Sequence, residues 1–297
     1  FVDANGGLLP YEIESWNPGG VSQVWVRVPQ IAAGSTSDYV WLYSGNPAAA
    51  DAQDPASLWA GAAAVVHLGG TLSDATGTAT AVTGSLVPVV PGAATMGRIF
   101  DGASSDITVS APPGSAQDNL FAGGGASPGG TISAWFRADG WGEGGYGRIA
   151  SKADSPFSNG GDPGVGWALE LDGTNQTLIF EIGLDQDVAQ WRATAGSVTL
   201  GTWYHVAVVY DESLPAAPTL YLNGTAVTMS LMGSRSGTAG SDVAMDIHIG
   251  NHAMATTRTF LGAIDEFRAY TSSRTAAQVQ AEWRFGTGVR AHVSATP

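Results

Sequence analysis

Four short segments towards the C-terminal end alternate polar and apolar residues and are bounded by Gly, Asn or Asp: 202–210, 219–225, 246–251 and 260–270. Period-two polarity built from β-branched and aromatic residues predicts half-buried β-strands. Asn223-Gly224 between apolar flanks predicts a two-residue hairpin, because a type I′ turn needs positive φ at both central positions. Four such strands share one apolar face, and that face needs a second sheet to cover it. The expectation is an all-β chain built as an antiparallel β-sandwich.

The 297-residue length is long for one sandwich and comfortable for a large unit plus a smaller one. Towards the N-terminus, Leu9 to Trp16, Ser22 to Pro29 and Tyr39 to Tyr43 read as strands separated by turns. The expected division is 1–60 as a partial β-domain, 61–94 as a connecting segment, 95–285 as the sandwich and 286–297 as a tail. Within the connection, Ala63–Leu68 reads as a strand and the rest as loops. Residues 110–130, rich in Gly, Pro and Ser, read as a long surface loop. A single short helix is expected over Thr275–Trp283, capped by Ser273.

Charge narrows the partners. Twelve basic residues against 26 acidic ones give a net charge of −14. No basic patch exists to displace counterions, which argues against nucleic acid or an anionic membrane. With no cysteine there is neither a disulfide framework nor a thiolate metal site. No apolar run is long enough for a membrane span. Zero Cys with abundant Gly, Thr, Ala and Trp points to an exported bacterial surface protein, and the opening at Phe1, directly in strand-and-turn sequence, to a leader either removed or excluded.

With these residues placed, 95–285 resembles the bacterial laminin-G-like, or concanavalin A-like, jellyroll domains. Phe100-Asp101-Gly102, Ile132 to Phe136, Trp203 to Ala207, Leu220 to Gly224, Ile247 to Asn251 and Gly262 to Arg268 carry the likeness in order. The N-terminal segment resembles the second half of a bacterial domain of unknown function that often precedes such jellyrolls. Leu9 to Trp16, Val24 to Pro29 and Leu42 to Pro47 carry that likeness. It implies a smaller, incomplete N-terminal β-domain. A strand-donating protein partner, or self-assembly, would then complete the open edge.

The jellyroll resemblance also implies a structural calcium ion held by Asp265 of the last strand with Asp101 or the Gly102 carbonyl, since Ca²⁺ takes six to eight oxygen ligands. Jellyroll glycosidases carry a Glu-x-Asp-x-x-Glu run on one strand. Glu170-Leu171-Asp172 starts it, but Gly173-Thr174-Asn175 supplies no second glutamate, and Glu12-Ile13-Glu14 fails in the same way. No catalytic residue is therefore expected. None of the five histidines has a metal-ligand spacing, and His205 reads as a packed structural residue.

Binding chemistry fits better. Trp141 and Tyr146 lie in a Gly-rich loop beside Asp139, and Asn159 follows in another loop. Aromatic faces flanked by carboxylates and carboxamides are what sugar recognition uses. The expected function is an extracellular or cell-surface, non-enzymatic module that binds carbohydrate or another surface ligand. The alternatives are an adhesive or structural subunit of a larger assembly and, third, a glycoside hydrolase.

Overall fold

The computed structural model describes residues 1–30, 32, 35, 37–79, 81–118, 120–121, 129–154, 164–212, 217–243, 245–252 and 258–287. The chain divides into two units, one of 1–60 with 75–77 and one of 61–74 with 78–297. None of the described helices is long and apolar enough to cross a membrane.

The first unit holds β1 (Tyr11–Ser15), β2 (Gln23–Val26) and the four-residue helix α1 (Pro55–Leu58). β1 and β2 pair antiparallel, with a register shift between Ile13 and Ser15. The acids of Glu12-Ile13-Glu14 have a structural task. Glu12 accepts the indole N–H of Trp59 at 2.6 Å, and Glu14 that of Trp25 at 2.7 Å. The strand expected at Tyr39 to Tyr43 is absent; Trp41 makes only an isolated bridge with Val2.

The second unit is the expected sandwich. Its strands are β3 (Ala62–Val66), β4 (Val82–Ser85), β5 (Val89–Pro91), β6 (Met96–Asp101), β7 (Asp106–Val109), β8 (Gly129–Ala138), β9 (Arg148–Ala153) and β10 (Gly166–Asp172). Then follow β11 (Thr177–Gly183), β12 (Val188–Ala193), β13 (Trp203–Asp211), β14 (Thr219–Leu222), β15 (Thr225–Val227), β16 (Met229–Met232), β17 (Ile247–Ile249) and β18 (Leu261–Tyr270). One sheet runs β16-β12-β11-β10-β9-β17-β7-β4, the other β15-β14-β13-β8-β18-β6-β5, and β3 pairs with β18. The two inner faces meet in a single core in which Phe121 lies edge-on to Trp167 and Phe180, with centroids 5.5 and 5.6 Å away.

Two expectations need correcting. Residues 61–94 are not simply a connection: β3 lies along the second half of β18, where β6 no longer reaches, and β4 and β5 extend opposite sheets. Residues 110–130 are not all surface loop either, since Ala111, Gln117, Leu120 and Phe121 are buried. A Gly/Pro/Ser-rich stretch hides this because isolated apolar residues carry no periodicity.

Asn223 and Gly224 have φ of 51° and 72° and join Leu222 to Thr225, as the hairpin rule requires. Helix α2 spans Ala276–Gly286 and is capped by Thr275 rather than Ser273. Thr275 and Gln278 form a reciprocal capping box, which satisfies two backbone donors. Only Val279 and Glu282 are buried along it.

Candidate functional site

Alternation along the first sheet sends Trp167, Leu169 and Leu171 of β10 and Leu178, Phe180 and Ile182 of β11 into the core. Glu170 and Glu181 therefore stand on the opposite, outer face. Register aligns that face across four strands. Arg148 lies opposite Glu170, Glu181 opposite Gln190, and Glu170 and Glu181 are diagonal neighbours, since Glu170 pairs with Ile179 and Ala168 with Glu181. The result is a polar row Arg148–Glu170–Glu181–Gln190, every member at most 6% exposed.

The Arg148 guanidinium stands 3.4 Å from Glu170 Oε2 and 3.6 Å from Glu181 Oε2, and the Gln190 carboxamide donates to Glu181 Oε1. Burial pushes the Glu170 carboxyl well above the usual carboxylate range, with the Glu181 charge adding to it; Arg148 and Arg258 oppose the shift. Burial likewise raises Glu181 to about 7 against Arg148, the Gln190 hydrogen bond and Arg258. Two carboxyls that resist ionising beside one arginine are the arrangement sequence reasoning missed. Glu170 and Glu181 are eleven residues apart on different strands, so no single-strand motif joins them.

Arg258 links this row to the loop after β8. Its guanidinium lies 5.3 Å from the centroid of the Tyr146 ring. The loop is fixed by backbone bonds from Glu143 N to the Thr259 carbonyl (3.0 Å), from Leu171 N to Gly147 (3.0 Å) and from Gly173 N to Gly145 (2.9 Å). Tyr146, expected as a ligand residue, is thus placed beside the polar row and is half-buried. Trp141 packs its side chain against Gly173 and the core, where a Cβ on Gly173 would come within 2.8 Å of it. Asp139 is turned to Arg137, accepting two hydrogen bonds at 2.8 and 2.9 Å. Asn159 lies outside the described residues. Next to Asn175, Asp172 accepts its carboxamide at 2.8 Å and the Arg192 Nε at 2.6 Å.

The expected calcium ligands do not form one set. Asp101 pairs with Leu261, whereas Asp265 lies four residues further along β18, about 13 Å away by strand rise. Asp101 caps its own turn: Oδ1 accepts the amides of Ala103, Ser104 and Ser105, and Oδ2 the Ser104 hydroxyl. Those amide bonds hold its carboxyl below the ordinary range against burial, the largest influence, which acts the other way. Gly102, at φ 73°, spends its amide on the Phe260 carbonyl. Asp265 is buried, and its Oδ2 accepts the Ala94 amide at 3.0 Å; a Cβ on Gly92 would fall 2.3 Å from the same oxygen.

The outer face of the second sheet carries another charged network under α2. Glu282 accepts from Ser133 Oγ at 2.9 Å and pairs with Arg274 at 3.0 Å, and His205 Nε2 is 3.9 Å away. Burial lowers His205 to about 4, with Glu282 opposing, and its ring stands edge-on to Trp135 at 5.4 Å. Close by, Glu266 takes positive φ (53°) at the bulge in β18 and accepts from Arg268 at 2.8 Å, with His67 Nδ1 also at 2.8 Å. His205 is the packed histidine the sequence implied.

Among solved structures, the chain is similar to the binding domain of Paraclostridial Mosquitocidal Protein 1, with TM-score 0.55 and 15% identity over 77% of this chain and 52% of that one. It is similar to the receptor-binding domain of botulinum neurotoxin D, with TM-score 0.54 and 11% identity over 75% of this chain and 52% of that one. A ligand-binding domain of the same serotype, in complex with N-acetylneuraminic acid, matches with TM-score 0.51 and 11% identity over 75% and 50%. The chain spans about half the length of these domains, and at such identities the likeness is one of fold. Comparison with curated proteins returned no match. Residues 1–66 match a domain of unknown function, DUF2341. Residues 101–280, more than half the chain, match the Laminin_G_3 family model, and the chain belongs to this family of the concanavalin A-like lectin/glucanases superfamily.

Proposed function

We propose that the sandwich is a non-catalytic carbohydrate-binding module of an extracellular or bacterial cell-surface protein. Its ligand would meet the end of the first sheet where the loop after β8 carries Tyr146 and Trp141. The observation that carries this reading is the Tyr146–Arg258 pair, a half-buried aromatic ring held by a cation beside a row of polar side chains. A saccharide offers an apolar C–H face to such a ring and hydroxyls to the groups around it. The superfamily contains lectins, and one similar domain was solved with a sialic acid, which supports a sugar as the ligand.

Recognition is favoured over hydrolysis because Glu170 and Glu181 are 4% and 1% exposed and face Arg148 and Gln190. A glycosidase acid needs contact with the glycosidic oxygen, and its partner needs contact with the anomeric carbon or water. Reducing-sugar release from plant or algal polysaccharides would reverse that preference.

The deciding experiment is a glycan array probed with the full chain. Tyr146→Ala is expected to weaken binding to the preferred glycan about tenfold, which corresponds to about 1.4 kcal/mol. Asp139→Ala should bind as the parent does, because Asp139 is engaged with Arg137. No glycan bound, or a Tyr146→Ala variant equal to the parent, rejects the reading. A structural calcium ion would need ligands beyond Asp101, Gly102 and Asp265 as a trio. It is tested by melting the protein with calcium and with excess chelator; an ion bound at a hundredfold its Kd contributes about 2.7 kcal/mol to stability.

A further inference from the structure

In the first unit, described large apolar side chains are exposed out of proportion to its size. It supplies half of all those in the chain, among them the unbroken run Tyr39-Val40-Trp41-Leu42-Tyr43. Tyr39, Trp41 and Tyr43 are 53%, 43% and 76% exposed. Isolated exposed apolar residues are ordinary, but a contiguous aromatic run marks a contact surface.

Trp41 is exposed and yet fixed. Its backbone exchanges hydrogen bonds with Val2 at 3.0 and 2.8 Å, and its indole meets the Tyr39 ring edge-on at 5.2 Å. A ring ordered before binding loses little entropy on contact. Tyr43 follows two positions on, about 6.6 Å further where the chain is extended.

Charge selects the occupant. Residues 1–60 hold six acids (Asp3, Glu12, Glu14, Asp38, Asp51, Asp54) and one base, Arg27, whose guanidinium donates to the Ser57 carbonyl at 2.7 Å. An anionic polymer would meet six carboxylates against the single, exposed Arg27. From this we infer that the Tyr39–Tyr43 run is a second sugar-binding surface, specific for an uncharged polysaccharide whose successive rings stack on Trp41 and Tyr43. Stacking suits such a polymer because neutral sugar rings present flat C–H faces at regular intervals. This surface lies in a different unit from Tyr146 and does not depend on the sandwich being a lectin.

The test is co-sedimentation of the full chain with microcrystalline cellulose, chitin and insoluble mannan, at low salt and at 1 M salt, where charge interactions are screened to about 3 Å. Binding to at least one polymer is expected, unchanged by salt, and weakened about tenfold in Trp41→Ala and in Tyr43→Ala. Tyr43 is so exposed that its loss should leave the melting temperature unchanged, which keeps the test valid if Trp41→Ala folds poorly. Tyr146→Ala should still bind. The inference is overturned by no binding to any of the three polymers, or by binding that Tyr43→Ala retains. Loss in Tyr146→Ala alone, or a concentration-dependent dimer dispersed by Trp41→Ala, would also overturn it.

Discussion

Arg148→Met is expected to lower stability by about 3–5 kcal/mol at pH 8 and by clearly less at pH 5. Arg148 is fully buried between Glu170 and Glu181, and methionine removes the cation that stands against both carboxyls, leaving only the influence of Arg258. At pH 8 both must then either ionise in a dry environment or take up protons against the solvent. At pH 5 Glu181 is protonated in the folded state and burial favours the neutral form of Glu170 as well, so the loss shrinks towards packing. Chemical denaturation at the two pH values measures the difference; an equal loss at both would show that charge is not what Arg148 supplies.

The same row makes the parent protein sensitive to alkali. A carboxyl whose folded-state pKa is raised binds its proton more tightly when folded. Its contribution is therefore complete below the unfolded value of 4.5 and is lost as pH rises through about 7. For Glu181 that loss is on the order of 3 kcal/mol. His205 acts in the opposite sense. Its folded value near 4 lies below the ordinary 6.5, so its contribution is present above pH 6.5 and is lost as pH falls towards 4. Between pH 6.5 and 7.5 Glu181 is still giving up its proton in the folded state. Glu181→Gln, which keeps a side chain able to bond Gln190, should flatten that part of the profile.

Glu282→Ala is expected to cost about 3 kcal/mol and to loosen α2 before the rest of the fold. Glu282 gathers the Ser133 hydroxyl, Arg274 and His205 onto the only charged buried position of the helix. Val279 is its fully buried apolar anchor, and Trp283 meets Gly224 of the β14–β15 turn. Eleven residues do not hold a helix by propensity alone. Hydrogen exchange over 276–286 should accelerate well ahead of β8 and β13, with partial recovery in Glu282→Gln. Unchanged exchange in that segment would mean that apolar packing alone docks the helix.

Most of the sandwich was legible because its strands carry their own signal. β8, β13 and β18 are rich in β-branched and aromatic residues between turn residues, and Asn223-Gly224 announces its turn by a backbone requirement that few residue pairs meet. β4 and β5 were not legible: Val82–Ser85 and Val89–Pro91 are three or four residues long and mostly exposed, and they are strands only because β7 and β6 offer them edges. The reverse held for Tyr39 to Tyr43, whose β-rich composition finds a partner at Trp41 alone. The Gly-rich loop singles out Tyr146 in the sequence, whereas its contact with Arg258 joins segments over a hundred residues apart.

Local chemistry decided the all-β class, the helix α2 and the acidic, cysteine-free character of the chain, because periodicity, turn geometry and charge are properties of neighbours in sequence. Tertiary structure alone decided that Glu170 and Glu181 share Arg148, that Glu282 anchors α2 beside His205, and that Asp101 and Asp265 stay apart. Strand register sets which side chains meet across a sheet, and register follows from the packing of every strand at once.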